Sequence, residues 1–176
     1  MAILVIDLSY QTGSLFLMTK AGEVLEVLDS PSYHSLSLDI QQLVSRHSVQ
    51  VEAVALPLGP GGFTPLRIGA TTALALSLTL KIPLIPYSSF LGLVTSETFE
   101  KKLFLDARSE SAFSTSFEAK SDGEILFKEI EIEPGAVESP YRTQPQELAK
   151  HIKTLFDLKR FSTPNGFKLQ YVKQPR

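Results

Sequence analysis

The segment that most constrains the fold of this chain is the stretch GPGGFTPLRIG at positions 59–69. A short apolar strand predicted at 54–57 leads into this glycine bend (residues 59–62). A helix follows, for which Thr64 is a suitable N-cap and Pro65 a suitable first residue. Such a bend brings free backbone N–H groups close to the positive end of the helix dipole, which favours an anion such as phosphate. The same layout also serves as a tight connector without a ligand, so both interpretations stay open.

The bend lacks the residues of the common phosphate-binding motifs. A P-loop ends in Gly-Lys-Ser/Thr, whereas Pro65, Leu66 and Arg67 open the helix here. A dinucleotide-binding fingerprint needs a third glycine at the position of Thr64. Arg67 lies in the first helical turn, where the dipole disfavours a cation, so it predicts a partner. That partner is either a bound anion or an acid such as Asp7, in an ion pair that fastens the bend.

Five fragments of the sequence, in order along the chain, resemble the bacterial TsaB (YeaZ) family. The bend resembles the family signature G-P-G-S-F-T-G-L-R-I-G, with Gly62 where the family has Ser and Pro65 where it has Gly. Residues 2–9 resemble the opening I-L-x-I-D-T-S, and residues 82–90 resemble I-P-L-I-x-V-S-S-L. Residues 106–108 resemble the start of D-A-R-R-x-E-V-Y, whose later charged pair is absent here, and residues 169–173 resemble the closing P-x-Y-L-R.

The resemblance implies a fold and a function. It implies an α/β protein of the actin-like (ribonuclease-H-like, ASKHA) fold with two lobes. The family belongs to the machinery that makes N6-threonylcarbamoyladenosine (t6A) at position 37 of tRNA. The resemblance therefore implies that this chain is a non-catalytic scaffold subunit in the cytoplasm. It would support a TsaD-like catalytic subunit, which carries its own metal. A TsaE-like ATPase is the implied third component, and tRNA would be reached indirectly through the complex.

The hydrophobic pattern predicts an order of elements that agrees with this fold. We predict strands at 2–7, 14–19 and 23–28, a helix at 35–46, the strand at 54–57, a helix at 65–80, a strand at 84–87 and a short helix at 88–95. The order βββ-α-β-α-β-α is that of an actin-like half, although the pattern alone admits other α/β layouts.

The predicted secondary structure changes after residue 98. We predict strands at 102–106, 112–118 and 125–132, a loop-rich stretch at 133–143 and an amphipathic helix at 146–157. The prediction is therefore an actin-like N-terminal lobe at residues 1–98. A smaller, abbreviated, β-rich C-terminal lobe follows at 99–176 and carries the terminal amphipathic helix.

Composition excludes several classes of function. With a net charge of −2, the chain has no strong positive electrostatic field to attract nucleic acid or anionic lipid. This argues against its binding tRNA without a partner. The absence of cysteine excludes disulfides and thiolate chemistry. The N-terminal apolar run lacks a basic leader, and the apolar stretch at 66–80 is shorter than the ~20 residues of a membrane span. We therefore predict no membrane association.

Two acidic residues are candidates for nucleotide chemistry. The resemblance places Asp7 at the end of the first strand, where actin-like ATPases hold metal and phosphate, and Asp106 at the matching place in the second lobe. Facing each other across the cleft, they would support an alternative function, a nucleotide phosphohydrolase or kinase acting alone. The simpler interpretation is that Asp7 caps local backbone and Asp106 pairs with Arg108. The candidate nucleotide-binding residues are Asp7, Gly59, Gly61, Gly62, Arg67 and Asp106.

No tightly bound cofactor is predicted, and ATP or ADP with Mg²⁺ would bind, if at all, at a subunit junction. The three histidines, His34, His47 and His151, are too far apart in sequence for a metal motif. A glycoprotease-type peptidase is not supported, because the chain has no G-x-S-x-G elbow and no cysteine nucleophile.

The two helices of the first lobe are candidates for a partner interface. Leu38 lies opposite the core face of its helix, beside His34 and Gln41. The helix at 65–80 is apolar on nearly all sides, with small residues along one side and Leu74, Ala75 and Leu78 on the other, so it must be covered all round. The cover is either the chain's own lobe or another chain, which the resemblance identifies as a TsaD-like subunit or a second copy. A homodimer that has lost the tRNA role is a further alternative. The predicted interface residues are His34, Leu38, Gln41, Gly69, Ala73, Leu76 and Ser77.

Overall fold

The computed structural model describes residues 1–9, 13–95, 102–107, 110–135 and 144–170. The first part of the chain forms β1 Ala2–Asp7, β2 Ser14–Thr19, β3 Val24–Asp29, α1 Leu36–His47, β4 Val51–Pro57, α2 Phe63–Leu80, β5 Leu84–Tyr87 and a 3₁₀ helix Ser89–Leu93. The second part forms β6 Lys102–Asp106, β7 Ser111–Ala119, β8 Ile125–Phe127, β9 Glu131–Pro134, α3 Pro145–Asp157 and a 3₁₀ helix Pro164–Gly166.

The first sheet has the strand order β3-β2-β1-β4-β5. The strands β1, β2 and β3 form an antiparallel meander, whereas β4 pairs parallel to β1 and β5 parallel to β4. Every residue of β1 is buried, as its uninterrupted apolar run predicts for a central strand. The order of elements predicted for an actin-like half is confirmed.

Helices cover both faces of the first sheet. The helices α1 and α2 pack on one face, and α3 packs on the other against β1 and β2 through Leu148, Ala149 and Ile152. The sequence-based division places this terminal helix in the C-terminal lobe at 99–176, and in the structure α3 packs on the first sheet. Its amphipathic face supplies the layer that the first sheet lacks on that side, and burial there outweighs proximity along the chain.

The second sheet is small and antiparallel. It has the order β6-β7-β8, and β9 also pairs with β7. The strand predicted at 125–132 is two strands, because β8 pairs with one end of β7 at Phe117–Ala119 and β9 pairs with the other end at Ser111–Ser114. The loop predicted at 133–143 begins inside β9, and its larger part lies outside the described residues. The 3₁₀ helix after β5 packs under this sheet through Phe90.

The helix α2 begins at Phe63, two residues before the predicted start, and Gly62 rather than Thr64 is its N-cap. Pro65 is tolerated in the first turn because N–H groups there have no intrahelical acceptor. Among the described residues, α2 is the one helix long and apolar enough to cross a membrane, and 33% of it is buried inside the fold. Core helices of folded domains meet the same criterion, so length and composition alone assign no membrane role.

The outer edge of β5 is covered where the strand begins. Ser162 and Leu84 exchange both backbone hydrogen bonds, at 2.9 and 3.2 Å. Pro86, in the middle of β5, has no N–H to offer to a further strand. Residues 162–170, which we call the strap, continue from this pairing along the first lobe.

Candidate functional sites: the glycine bend and the outer helix face

The glycine bend is filled by the chain's own backbone. The N–H of Gly62 donates to the carbonyl of Ser9 at 2.7 Å, and the carbonyl of Gly59 accepts from Ser89 N at 2.9 Å. A Cβ at Gly61 would lie 2.4 Å from the oxygen of Ser9, so only glycine allows this approach. The geometry is that of a tight connector, one of the two interpretations that the sequence leaves open.

The carboxylate of Asp7 belongs to a closed polar network. Asp7 and Ser9 are fully buried, and the carboxylate accepts hydrogen bonds from the backbone N–H of Ser9 at 3.1 Å and from its hydroxyl at 2.8 Å. The Ser9 hydroxyl lies 2.9 Å from the hydroxyl of the buried Ser89. The interpretation that Asp7 caps local backbone is confirmed, and its carboxylate does not line an open cleft.

Asp106 and Arg67 are the other two charged residues predicted to bind nucleotide. Asp106 ends β6 and is partly buried, while Arg108, its predicted partner, lies outside the described residues. Arg67 is exposed and stacks over the ring of Phe63 at 4.9 Å. In the described parts of the chain, Arg67 makes no salt bridge of the kind predicted. The facing of Asp7 and Asp106 across a cleft stays a prediction.

The strap reaches the same bend from the other side. The N–H of Gln170 donates to the carbonyl of Leu58 at 2.8 Å. Gly59 has a φ of +117°, and a Cβ there would lie 2.7 Å from the oxygen of Gln170. Sequence analysis missed this contact, because the resemblance at 169–173 gave no indication of where that segment packs.

A cavity of about 200 Å³ separates the first sheet from the β8 hairpin. Glu124 at its rim accepts hydrogen bonds from Arg160 at 2.7 and 2.9 Å and from Lys120 at 2.8 Å. These bonds, Arg160 first, lower the pKa of Glu124 to about 2. The Nε2 of His151 lies 3.0 Å from the carbonyl of Val94, and burial lowers the pKa of this imidazole below 6.5. The first pair joins the β8 hairpin to the segment after α3, and the second joins α3 to the segment after β5.

His47, like His151, makes a structural contact. His47 lies 2.7 Å from Glu26 of β3, and Arg46 pairs with the same carboxylate at 2.6 Å, so the end of α1 is tied to the sheet edge. The hydrogen bonds from His47 and Arg46 lower the pKa of Glu26. Within the described residues, no group of three or more His, Cys, Asp or Glu is placed to hold a metal ion.

Three of the predicted interface residues lie on the side of α2 that faces the first sheet. Gly69, Ala73 and Ser77 are buried against the first sheet, where their small side chains let the helix come close to β1 and β4. The hydroxyl of Ser77 also donates to the carbonyl of Ile82 at 2.5 Å. On this side the alternative interpretation, cover by the chain's own lobe, is confirmed, since the sheet already buries these residues.

The remaining predicted residues lie toward the outside. His34, Leu38 and Gln41 are exposed, with Leu38 exposed by 53%, and Leu76 is partly buried. The structure adds Leu78, which is 64% exposed. Its helical position, beside Thr71 and Ala75 and opposite Ala73, is the sequence signal that could have identified it. Besides Arg46 near the end of α1 and the exposed residues Phe63, Thr64 and Arg67 at the start of α2, ten residues of the two helices are exposed. We call these ten the outer helix face; its members are Ser37, Leu38, Gln41, Gln42, Ser45, Thr71, Ala75, Leu78, Thr79 and Leu80.

The outer helix face carries no charge. Its exposed positions are Ser, Thr, Gln, Ala or Leu, and the nearest exposed charged residues, Arg46, Arg67 and Lys81, stand at its ends. A groove of about 440 Å³ runs between the two helices. The apolar residues along the groove are Leu4, Ile40, Val44, Val49, Val51, Leu76, Leu80 and Ile82.

The fold and these sites define a class of protein. The family model described as TsaD, tRNA N6-adenosine threonylcarbamoyltransferase, matches residues 35–172, and the chain belongs to this family of actin-like α/β proteins. Within it, the chain is a member of the TsaB (YeaZ) family, as the fragments quoted above predict.

Individual relatives agree with this assignment. The tRNA threonylcarbamoyladenosine biosynthesis protein TsaB of Buchnera aphidicola subsp. Acyrthosiphon pisum (strain APS) is 42% identical over 52 residues, which cover 30% of this chain and 23% of that relative. A crystal structure of an uncharacterized protein with similarity to peptidase YeaZ, from Pseudomonas aeruginosa, has a TM-score of 0.79 at 17% identity, covering 98% of this chain and 99% of that one. YeaZ from Pseudomonas aeruginosa has a TM-score of 0.76 at 18% identity, covering 97% and 99%. The two structures establish the fold alone.

Proposed function

We propose that this chain is a non-catalytic scaffold subunit of t6A synthesis, which binds a TsaD-like catalytic subunit through the outer helix face. Membership of the family and the name of the TsaB relative support a role in t6A biosynthesis. The observation that carries the docking role is the uncharged outer helix face, with Leu38 and Leu78 exposed by more than half.

The composition of the outer helix face is typical of a protein–protein interface. Solvent-facing helix surfaces ordinarily carry charged residues, whereas the cores of protein interfaces are depleted of them. Here ten successive residues of α2, from Thr71 to Leu80, contain no charged side chain. Serine, threonine and glutamine form hydrogen bonds across an interface without the desolvation cost of a charge. The face therefore supports a partner that packs helices against α1 and α2.

The groove between the helices supplies shape for such a partner. Its apolar walls include Leu76 and Leu80 of α2 and Val44 of α1, and Gln41 stands at its rim. Side chains from a facing helix would fill a groove of this kind as ridges fill grooves in other helix pairs. This geometry supports helix-on-helix docking over binding of an extended peptide.

A catalytic role for the chain alone has less support. The carbonyl of Ser9 already accepts from the N–H of Gly62, one of the donors of the glycine bend that a phosphate would need. Asp7 is buried in its own network and serves as an acceptor there. The proposal therefore assigns chemistry and metal to the partner, and places ATP or ADP with Mg²⁺, where one binds, at the subunit junction.

The other components follow from the family. A TsaE-like ATPase is proposed as the third member of the complex, and the cytoplasm as its location. Because the net charge of the chain is −2, tRNA would be held mainly by other members of the complex.

Comigration of the purified chain with a TsaD-like subunit on size exclusion tests the proposal. Burial of a leucine stabilises a complex by about 1.5–3 kcal/mol, so Leu38→Arg should weaken binding tens- to hundreds-fold. Leu126→Arg is the matched control, because Leu126 is 42% exposed on β8, away from the outer helix face. Equal binding of the two variants would contradict the proposal, as would the absence of any complex with the unmodified chain.

Two further measurements separate the alternatives. Micromolar binding of ATP with Mg²⁺ to the isolated chain in a calorimetric titration would favour the independent phosphohydrolase or kinase. Depletion of the chain in its host should lower the t6A content of tRNA nucleosides measured by mass spectrometry. An unchanged t6A content together with a stable homodimer would favour the dimer that has lost the tRNA role.

A further inference from the structure

The glycine bend, the strap and the first turn of α2 meet at Gly59. A Cβ at this position would lie 2.7 Å from the oxygen of Gln170 on one side and 3.5 Å from Cδ1 of Leu66 on the other. Leu66 is a buried residue of the first turn of α2, and its N–H makes an early hydrogen bond of that helix, to the carbonyl of Gly62 at 3.0 Å. The three elements therefore touch within the width of one side chain.

The strap is fixed to the first lobe at several points between its ends. Ser162 pairs with Leu84 at its beginning, and Gln170 donates to Leu58 at its end. Between them, the 3₁₀ helix Pro164–Gly166 packs against α2, and the half-buried Phe167 and Leu169 pack on the core beneath the helices. The strap thus runs along α2 from the edge of β5 to the glycine bend.

We propose that the strap is a conformational device that holds the start of α2 in place and so sets the docking strength of the outer helix face. The last part of this inference rests on the proposed function. The backbone of Gln170 lies against Gly59, and the side chain of Leu66 lies near the same glycine. Release of the strap would free the first turn of α2, and the helix would then present its outer residues in more than one position.

Two glycines of similar backbone conformation provide a matched pair of variants. Gly59 has a φ of +117° with Gln170 beside it, and Gly135 has a φ of +123° with no atom of the described residues within 4 Å of an added Cβ. Alanine is strained by its backbone at both sites, but only Gly59→Ala displaces the strap. The difference between Gly59→Ala and Gly135→Ala therefore isolates the contact with Gln170.

Amide hydrogen exchange of the full chain measures the first half of the proposal. In Gly59→Ala, exchange at Gln170 and at Leu66 should accelerate at least about tenfold over Gly135→Ala, because local opening sets these rates. Acceleration at Gln170 with no change at Leu66 would overturn the proposal, since the strap would then not hold the helix. No change at either amide would overturn it as well.

A pair of shortened chains covers the case in which Gly59→Ala does not fold. A chain that ends at Lys168 lacks Leu169 and Gln170, whereas a chain that ends at Gln170 keeps the whole strap. The shorter chain should show the faster exchange at Leu66, and equal rates in the two chains would count against the proposal.

Binding to a TsaD-like subunit measures the second half. Gly59→Ala and the chain ending at Lys168 should bind about tenfold more weakly than Gly135→Ala and the chain ending at Gln170, respectively. Equal binding despite faster exchange would refute the link to docking. If the unmodified chain does not bind, the proposed function fails, while the exchange rates still decide whether the strap holds α2.

Discussion

The two sides of α2 are alike in composition and opposite in surroundings. Toward the sheet, Gly69, Ala73 and Ser77 are buried on β1 and β4, whereas on the outside Ala75 and Leu78 are exposed. The comparison shows that the part of α2 beyond Arg67 lacks charge on both sides for two separate reasons. The inner side needs small residues for a close approach to the sheet, and the outer side forms a surface that the described residues leave exposed.

A charge on each side of the same helix should separate these reasons most strongly. Ala73→Arg places a guanidinium in the buried interface with the sheet and should destabilise the fold by more than about 4 kcal/mol, or prevent folding. Ala75→Arg, half a turn away on the outside, should change stability by less than about 0.5 kcal/mol. Urea unfolding of both variants tests this, and similar losses in the two would break the comparison.

The outer side should respond in binding rather than in stability. Leu78→Arg should leave the unfolding midpoint nearly unchanged and weaken binding to a TsaD-like subunit tens- to hundreds-fold, equivalent to about 2–3 kcal/mol. The measurement is a binding titration beside an unfolding curve. A large loss of stability would show that Leu78 supports the fold and not a docking surface.

The hydroxyl on the inner side should have a moderate effect. Ser77→Ala removes the hydrogen bond from Ser77 to the carbonyl of Ile82, and should cost about 1 kcal/mol of unfolding free energy. Thr79→Ala, on the exposed side, is the control and should cost a few tenths of a kcal/mol at most. An equal effect of both substitutions would mean that the inner bond adds nothing beyond helix propensity.

The ion pairs at the end of α1 should have a smaller, pH-dependent effect. The folded state lowers the pKa of Glu26 through His47 and Arg46, so the unfolded chain binds the proton more readily. This contribution to stability is therefore present above about pH 4.5 and is lost as pH falls through the lower folded pKa. Glu26→Gln should cost about 0.5 kcal/mol at pH 7, and the difference should vanish in acid. Thermal unfolding across pH measures it, with Glu23→Gln, an exposed carboxylate before β3, as control.

The smallest effect is expected at Gly69. A Cβ there would make ordinary contacts with Leu8 at 3.5 Å and with Ile6 at 3.7 Å. Alanine also favours the helix over glycine, so Gly69→Ala should change stability by only a few tenths of a kcal/mol, in the stabilising direction. A loss greater than 1 kcal/mol in chemical unfolding would show that the helix needs the glycine to approach the sheet.

The local pattern of apolar and polar residues predicts most helices and strands, because this pattern reflects which residues of each helix or strand are buried. The run at β1, the glycine bend and the apolar positions of α3 all indicated their structures before the fold was known. Pattern could not assign α3 to a sheet, since its partners Phe16 and Met18 lie well over a hundred residues earlier in the chain. For the same reason it could not show that Gln170 closes the bend at Gly59.

The sequence predicts that α2 contributes to the candidate interface, but it does not predict which side of the helix faces outward. Helical spacing separates Ala73 from Leu78, but spacing alone does not say which of the two sides meets the sheet. The small residues at Gly69, Ala73 and Ser77 fit an interface between helices, but small side chains serve a close contact with a sheet equally well. Exposure in the fold decides this, because the sheet covers one side of α2 only.

The pairing of Ser162 with Leu84, followed by Pro86, has a consequence for self-association. A β-sheet with an unpaired edge strand can pair with the edge strand of another copy, and repeated pairing of this kind produces open-ended aggregates. At this edge the first residue is already paired and the middle one has no donor, so this route to fibres is blocked. Crowding of this protein should therefore not produce open-ended polymers built from this edge.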